Sequence, residues 1–90
     1  MTKAEVVKNI ADTTGLDRQE VLQVVEAFMD TVTEALKDGD KVQFVGFGTF
    51  EVRRREARSG RDPRTGNPIS IAATNSPAFK AGKALKDAVN

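Results

Sequence analysis

Along the chain, hydrophobic positions recur first at helical spacing, then in alternation, and then almost vanish. Val6, Val7, Ile10 and Ala11 share one face of a helix that Thr2-Lys3-Ala4-Glu5 opens as a capping box and that stops near Gly15. A second box, Asp17-Arg18-Gln19-Glu20, predicts a longer helix. Its stripe of Val21, Val24, Val25, Phe28, Val32 and Leu36, widened by Leu22 and Met29, runs to a stop at Gly39. Two helices joined by a few residues form an antiparallel hairpin. The stripe is broader than one short helix can cover, so its excess, Phe28 included, predicts a subunit interface.

From residue 42 the period is two. Val42 and Phe44 point one way from a short strand, Gly46-Phe47-Gly48 makes a turn, and Phe50 and Val52 begin a second strand. That strand runs past its apolar residues as Arg53-Arg54-Arg55-Glu56-Ala57-Arg58, a stretch that cannot be buried. After a Gly- and Pro-rich segment, Ile69-Ser70-Ile71-Ala72-Ala73-Thr74 alternates again and returns antiparallel. The pattern predicts a two-stranded ribbon with 60–67 as its tip, reaching about 33 Å at ~3.3 Å per residue. Such a ribbon is marginally stable alone and is expected to move until something holds it. Ser76-Pro77 is expected to break the strand, with Ala81 to Val89 forming a short helix. The expected fold class is α+β: a helical hairpin, a three-stranded antiparallel sheet with a long ribbon arm, and a C-terminal helix. As one domain over 1–90, these occupy 1–38, 40–76 with the arm at about 53–74, and 77–90.

Length and composition narrow the chemistry. Ninety residues bury only about 60% of the surface that the unfolded chain exposes, and an arm outside the body thins the core further, so dimerisation is a physical expectation. There is no Cys and no His, which removes disulfides, thiolate metal sites and the commonest general base. With no catalytic constellation in view, the sequence predicts neither an enzyme nor a metal or other cofactor. No apolar run approaches the ~18 to 20 residues that cross a bilayer, and the chain opens as a helix rather than a signal peptide, so a soluble intracellular protein with no membrane partner is expected.

The net charge of +1 conceals an asymmetry. Residues 1–50 carry five basic and nine acidic side chains, a net −4; residues 51–90 carry nine and four, a net +5. A polyanionic partner for the second half follows, against the plainer reading of an ordinary solvated surface. An exposed ribbon bearing Arg53, Arg54, Arg55, Arg58, Arg61 and Arg64 is placed to meet phosphates and enter a groove, because the planar guanidinium fork meets phosphate bidentately and suits a narrow minor groove. The plainer alternative is a flexible loop charged for solubility. Pro63 reads either as the turn former of Asp62-Pro63-Arg64-Thr65-Gly66, which spacing favours, or as a rigid wedge between base pairs. Phe47, between two glycines, suggests packing in a dimer with Phe50 and Phe79, the competing reading being stacking on bases. Lys80, Lys83 and Lys86 form a possible basic stripe on the expected last helix; Lys3 and Arg18 begin the first two helices and matter only if the fold brings them beside the base of the arm.

The stretch GFGTFEVRRREARSGRDPRTG (46–66), followed by PAFKAGKALKDAV (77–89), closely resembles the bacterial HU family of histone-like DNA-binding proteins, over the whole chain. The resemblance implies an intertwined homodimer or heterodimer whose arms embrace double-stranded DNA through its minor groove, in the cytoplasmic nucleoid. Bent, nicked or flexible DNA would be preferred. Carried over by position, Arg53, Arg55, Arg58 and Arg61 would contact the groove and phosphates, and Lys3, Arg18, Lys80, Lys83 and Lys86 would hold flanking DNA. Phe47, Phe50 and Phe79 would join the dimer core, and Pro63 would wedge into the base stack, a role for which HU is itself a standard example. Two departures stand out: Ile71-Ala72-Ala73 where the family often has Ile-Pro-Ala, and the low net charge. A site-specific protein like integration host factor, or a dimeric scaffold for RNA or an acidic protein, are the alternatives.

Overall fold

The computed structural model describes residues 1–90, and its first helix, α1 (Lys3–Thr14), starts and stops where its capping residues sit. The Thr2 hydroxyl accepts from the Glu5 amide at 3.2 Å, and Gly15 closes the helix at φ 75°, the left-handed conformation that glycine adopts without a Cβ penalty. The second helix, α2 (Arg18–Lys37), has Asp17 accepting from the Gln19 amide at its start and Gly39, at φ 76°, after its end. In the unit Met1–Glu34, Val7, Ala11 and Val21 form a small buried cluster with Leu22 and Val25 against it. Further along the α2 stripe Val32 is buried and Leu36 half-buried, but the middle is not covered: Val24 is 66% exposed, and Phe28 and Met29 are also exposed.

On α1, Lys8 and Asp12 lie one turn apart and pair at 2.9 Å. The hydrogen bond and charge of Lys8 lower the Asp12 pKa from its ordinary 3.8. The stabilisation is therefore present above the unfolded value and disappears as pH falls through the lower folded one. Asp12→Asn is expected to lower the thermal midpoint slightly at neutral pH and to match the parent in strong acid; an equal deficit at both pH values would contradict the pair's contribution.

The second unit, Ala35–Asn90, is built on two sheets. Strands β1 (Val42–Phe44), β2 (Gly48–Arg55) and β5 (Thr74–Ala81) form an antiparallel sheet with β2 in the middle, while β3 (Arg58–Arg61) and β4 (Pro68–Ile71) form a two-stranded sheet. The pairs Arg55 with Thr74 and Arg58 with Ile71 preserve a single register across the interruption. The arm is thus two ladder segments with Glu56-Ala57 and Ala72-Ala73 unpaired between them, not the continuous ribbon expected. The break falls at Ala72 although alanine keeps the donor that proline lacks.

Two expectations are corrected at the C-terminal end. β5 runs straight through Ser76-Pro77, with Pro77 opposite Val52. β5 is an edge strand, where alternate nitrogens face away from the ladder and a proline removes no bond. The final helix, α3 (Lys83–Ala88), therefore starts later than Ala81, and Lys80 belongs to β5, so Lys80, Lys83 and Lys86 do not share one helical face.

The link between α3 and the β1–β2 turn is tight. Gly46 sits at φ 84° in that turn. The Gly82 amide donates to the Phe47 carbonyl at 2.7 Å and the Leu85 amide to the Gly46 carbonyl at 3.3 Å. Phe79 lies against both Phe47 and Phe50, with ring centroids 5.6 and 4.9 Å away in tilted arrangements.

Candidate functional site

Strand register sorts the arginines. Directly paired residues share a face of a sheet, so Arg53 and Arg55 lie with Glu51 and Lys80 on one side of the β2–β5 ladder, while Arg54 lies on the side of Phe50 and Phe79. On the first side Glu51, whose side chain is 18% exposed, pairs with Arg53 at 3.5 Å and Lys41 at 3.8 Å. Arg54 is held by Glu56 at 2.9 Å. Arg55 and Arg58, flanking the interruption, make no ion pair and line an open hollow with Ile71, Ala72 and Thr74.

At the far end the segment 62–67 closes on itself. The Asp62 amide donates to the Asn67 carbonyl at 2.8 Å, the Gly66 amide to the Asp62 carbonyl at 2.7 Å, and the Arg64 amide to Asp62 Oδ1 at 2.8 Å. Gly66 takes φ 71°, and Arg61 Nη1 donates to its carbonyl at 3.2 Å. Pro63 occupies the second position of this turn, as the turn-forming reading expects, and is exposed. Arg64 projects beside it, its Nε 4.0 Å from Asp62. Asp62 organises this tip, a role that spacing alone did not assign, although an acidic residue before proline is an Asx-turn signal.

The remaining cations are distributed. Lys3, at the start of α1, and Arg18, at the start of α2, line one groove with Val7, Gln19, Leu22 and Glu26. Lys3 pairs with Glu26 at 3.3 Å. On α3, Lys83 pairs with Asp87 at 2.7 Å and Lys86 makes no ion pair. Phe28, Phe47 and Phe79 keep exposed ring surface, at 44%, 52% and 41%, while Phe50 is half-buried. No helix is long and apolar enough to cross a membrane.

Residues 1–90 match the family model described as bacterial DNA-binding protein. The DNA-binding protein HU of Geobacillus stearothermophilus is 54% identical over 89 residues, covering 99% of each chain. DNA-binding protein HU 1 of Bacillus subtilis is 51% identical, covering 99% of this chain and 97% of its own. Among solved structures, a cocrystal of Anabaena HU with DNA superposes with a TM-score of 0.90 at 43% identity, covering 99% of this chain and 97% of that one. The V42I mutant of Thermotoga maritima HU gives 0.75 at 36% identity over the full length of both.

Proposed function

Because the chain belongs to the bacterial DNA-binding protein family, with HU proteins as its full-length relatives, we propose that it is a histone-like architectural protein that binds double-stranded DNA with little regard to sequence and bends it. The observation that carries this reading is a slender ribbon with unpaired Arg55 and Arg58 along it and exposed Pro63 on a closed turn at its end. The ribbon enters the minor groove, and its arginines displace counterions from the phosphates, which gives affinity without sequence information. Pro63 inserts between base pairs; unstacking costs a few kcal/mol, offset by phosphates that the bend brings to the body. Lys3, Arg18, Lys80, Lys83 and Lys86 hold that flanking DNA. The 90 residues act as one module, not an enzyme, in the nucleoid of a bacterial cytoplasm.

Dimerisation belongs to the same proposal. The exposed surface on Val24, Phe28, Phe47 and Phe79 supports a homodimer, or a heterodimer with a paralogue, in which a second chain covers these residues.

Arg58→Ala should weaken binding to unrelated duplexes by similar factors and lower the slope of log affinity against log salt by about one. A changed sequence preference with an unchanged slope would contradict the phosphate contact. Glu51→Gln, which frees Arg53 and Lys41, should tighten binding about two- to fivefold at low salt and fade at high salt, the scale of an exposed ion pair. Weaker binding at low salt would show that Glu51 helps to position these cations.

A further inference from the structure

Between Arg58 and Ile71 the arm carries a single acidic side chain, Asp62, and it adjoins Pro63. Its Oδ1 accepts the Arg64 amide at 2.8 Å and lies 4.0 Å from Arg64 Nε, while Oδ2 has no hydrogen-bond or ion-pair partner. The Arg64 side chain is 89% exposed and can turn from so long a contact to a phosphate. The other cation near the turn is Arg61, at the end of β3, and it donates to the Gly66 carbonyl. Thr65, Gly66 and Asn67 are neutral, and β4 brings no titratable group. The carboxylates nearer the base are better neutralised: Glu51 lies between Arg53 and Lys41, and Glu56 holds Arg54 at 2.9 Å.

A side chain that shares the tip with the wedge enters the groove with it. The minor groove is about 6 Å wide, with phosphates on both walls, and an A·T pair offers only acceptors there. An ionised carboxylate is repelled by both, whereas a protonated one loses the charge and gains an O–H donor that the acceptors can meet. Resting on the DNA-binding reading above, we infer that Asp62 takes up a proton from solvent when the arm enters the groove, so that the protein binds DNA more tightly as pH falls. The proton goes to Oδ2; Oδ1 still accepts the Arg64 amide, and the turn that aims Pro63 is kept. Because the bound state holds the extra proton, affinity rises with acidity, and by reciprocity acid favours the inserted arm. The chain has no His, so between about pH 5 and 7 no other side chain with an ordinary titration range obscures the effect.

The test is fluorescence anisotropy with a labelled DNA duplex of about 30 base pairs at about pH 7 and about pH 5, at constant ionic strength and without divalent cations, for the parent, Asp62→Asn and Glu56→Gln. The parent is expected to bind about three- to tenfold more tightly at the lower pH. Asp62→Asn, which lacks the charge but keeps the acceptor oxygen, should bind more tightly than the parent at about pH 7 by a similar factor and change by less than about twofold on acidification. Glu56→Gln should keep the parent's response. Calorimetry of the parent in two buffers of different ionisation heat, at about pH 5.5, counts the protons taken up and needs no variant. A parent whose affinity is indifferent to pH or whose binding takes up no proton overturns the inference, as does an Asp62→Asn response equal to the parent's. A parent that binds no DNA at either pH overturns the DNA-binding reading instead.

Discussion

Pro63→Ala is expected to remove most of the DNA bend while costing less than about tenfold in affinity, roughly 1.4 kcal/mol. The arginines, the register and the closed turn do not depend on the pyrrolidine ring, so the phosphates neutralised and hence the salt slope should hardly change. What is lost is a rigid apolar group at the end of the arm. Its rigidity comes from both the ring and the turn: Asp62 Oδ1 receives the Arg64 amide and the Asp62 carbonyl the Gly66 amide, which fixes the direction in which Pro63 points. Asp62→Ala should therefore reduce bending even with Pro63 present, and Asp62→Asn, which keeps the acceptor oxygen, should restore it. Energy transfer between dyes on the two duplex ends reads the angle. A Pro63→Ala complex as bent as the parent's would sink the wedge.

The largest expected stability loss is at Gly82. Its backbone, at φ −80° and ψ 170°, is one that alanine adopts freely, so the penalty is steric. A Cβ there would lie 2.5 Å from the Gly46 carbonyl oxygen, 2.6 Å from its carbon and 2.9 Å from the Phe47 carbon. These are backbone atoms of a turn that Gly82 and Leu85 already bind, and relieving the overlap stretches both hydrogen bonds. Gly82→Ala should cost about 3 kcal/mol, at the upper end for overpacking, and lower the melting midpoint by roughly 10–20 °C. Gly66→Ala is the contrast: its Cβ would meet nothing within 4 Å, so only the left-handed φ of 71° opposes it, at about 1 kcal/mol. Comparable melting of the two variants would mean that the turn yields easily and that α3 is loosely held.

The contrast also explains what was legible in the sequence. Both helices follow from caps and spacing, and the strand pair around Gly46 and Gly48 follows from alternation, because these signals lie within a few residues of the structure they specify. The passage of β5 through Pro77 was not legible. It depends on β5 lying at the edge of the sheet, a fact about non-local pairing. The same pairing separates Arg53 and Arg55 from Arg54, and it sets Phe79 between Phe47 and Phe50. The close approach at Gly82 leaves no local trace, since a glycine before a helix has an ordinary reading as its cap. Within the candidate site, the basic ribbon and its tip were readable from composition and turn chemistry. The interruption at Ala57 and Ala72, and the sorting of arginines into carboxylate-held and unpaired, depend on strand pairing and side-chain placement that no local sequence signal specifies.

Bending by the arms has one direct thermodynamic consequence: DNA that is already flexible should bind better, because part of the deformation cost is absent. The measurement is fluorescence anisotropy of a labelled duplex of about 30 base pairs, intact and with a central nick, titrated at two salt concentrations. Tighter binding to the nicked duplex, with both affinities falling steeply as salt rises, is the predicted result. Equal affinity for the two duplexes, or binding indifferent to salt, would contradict a protein that grips phosphates with its arms and kinks the DNA between them.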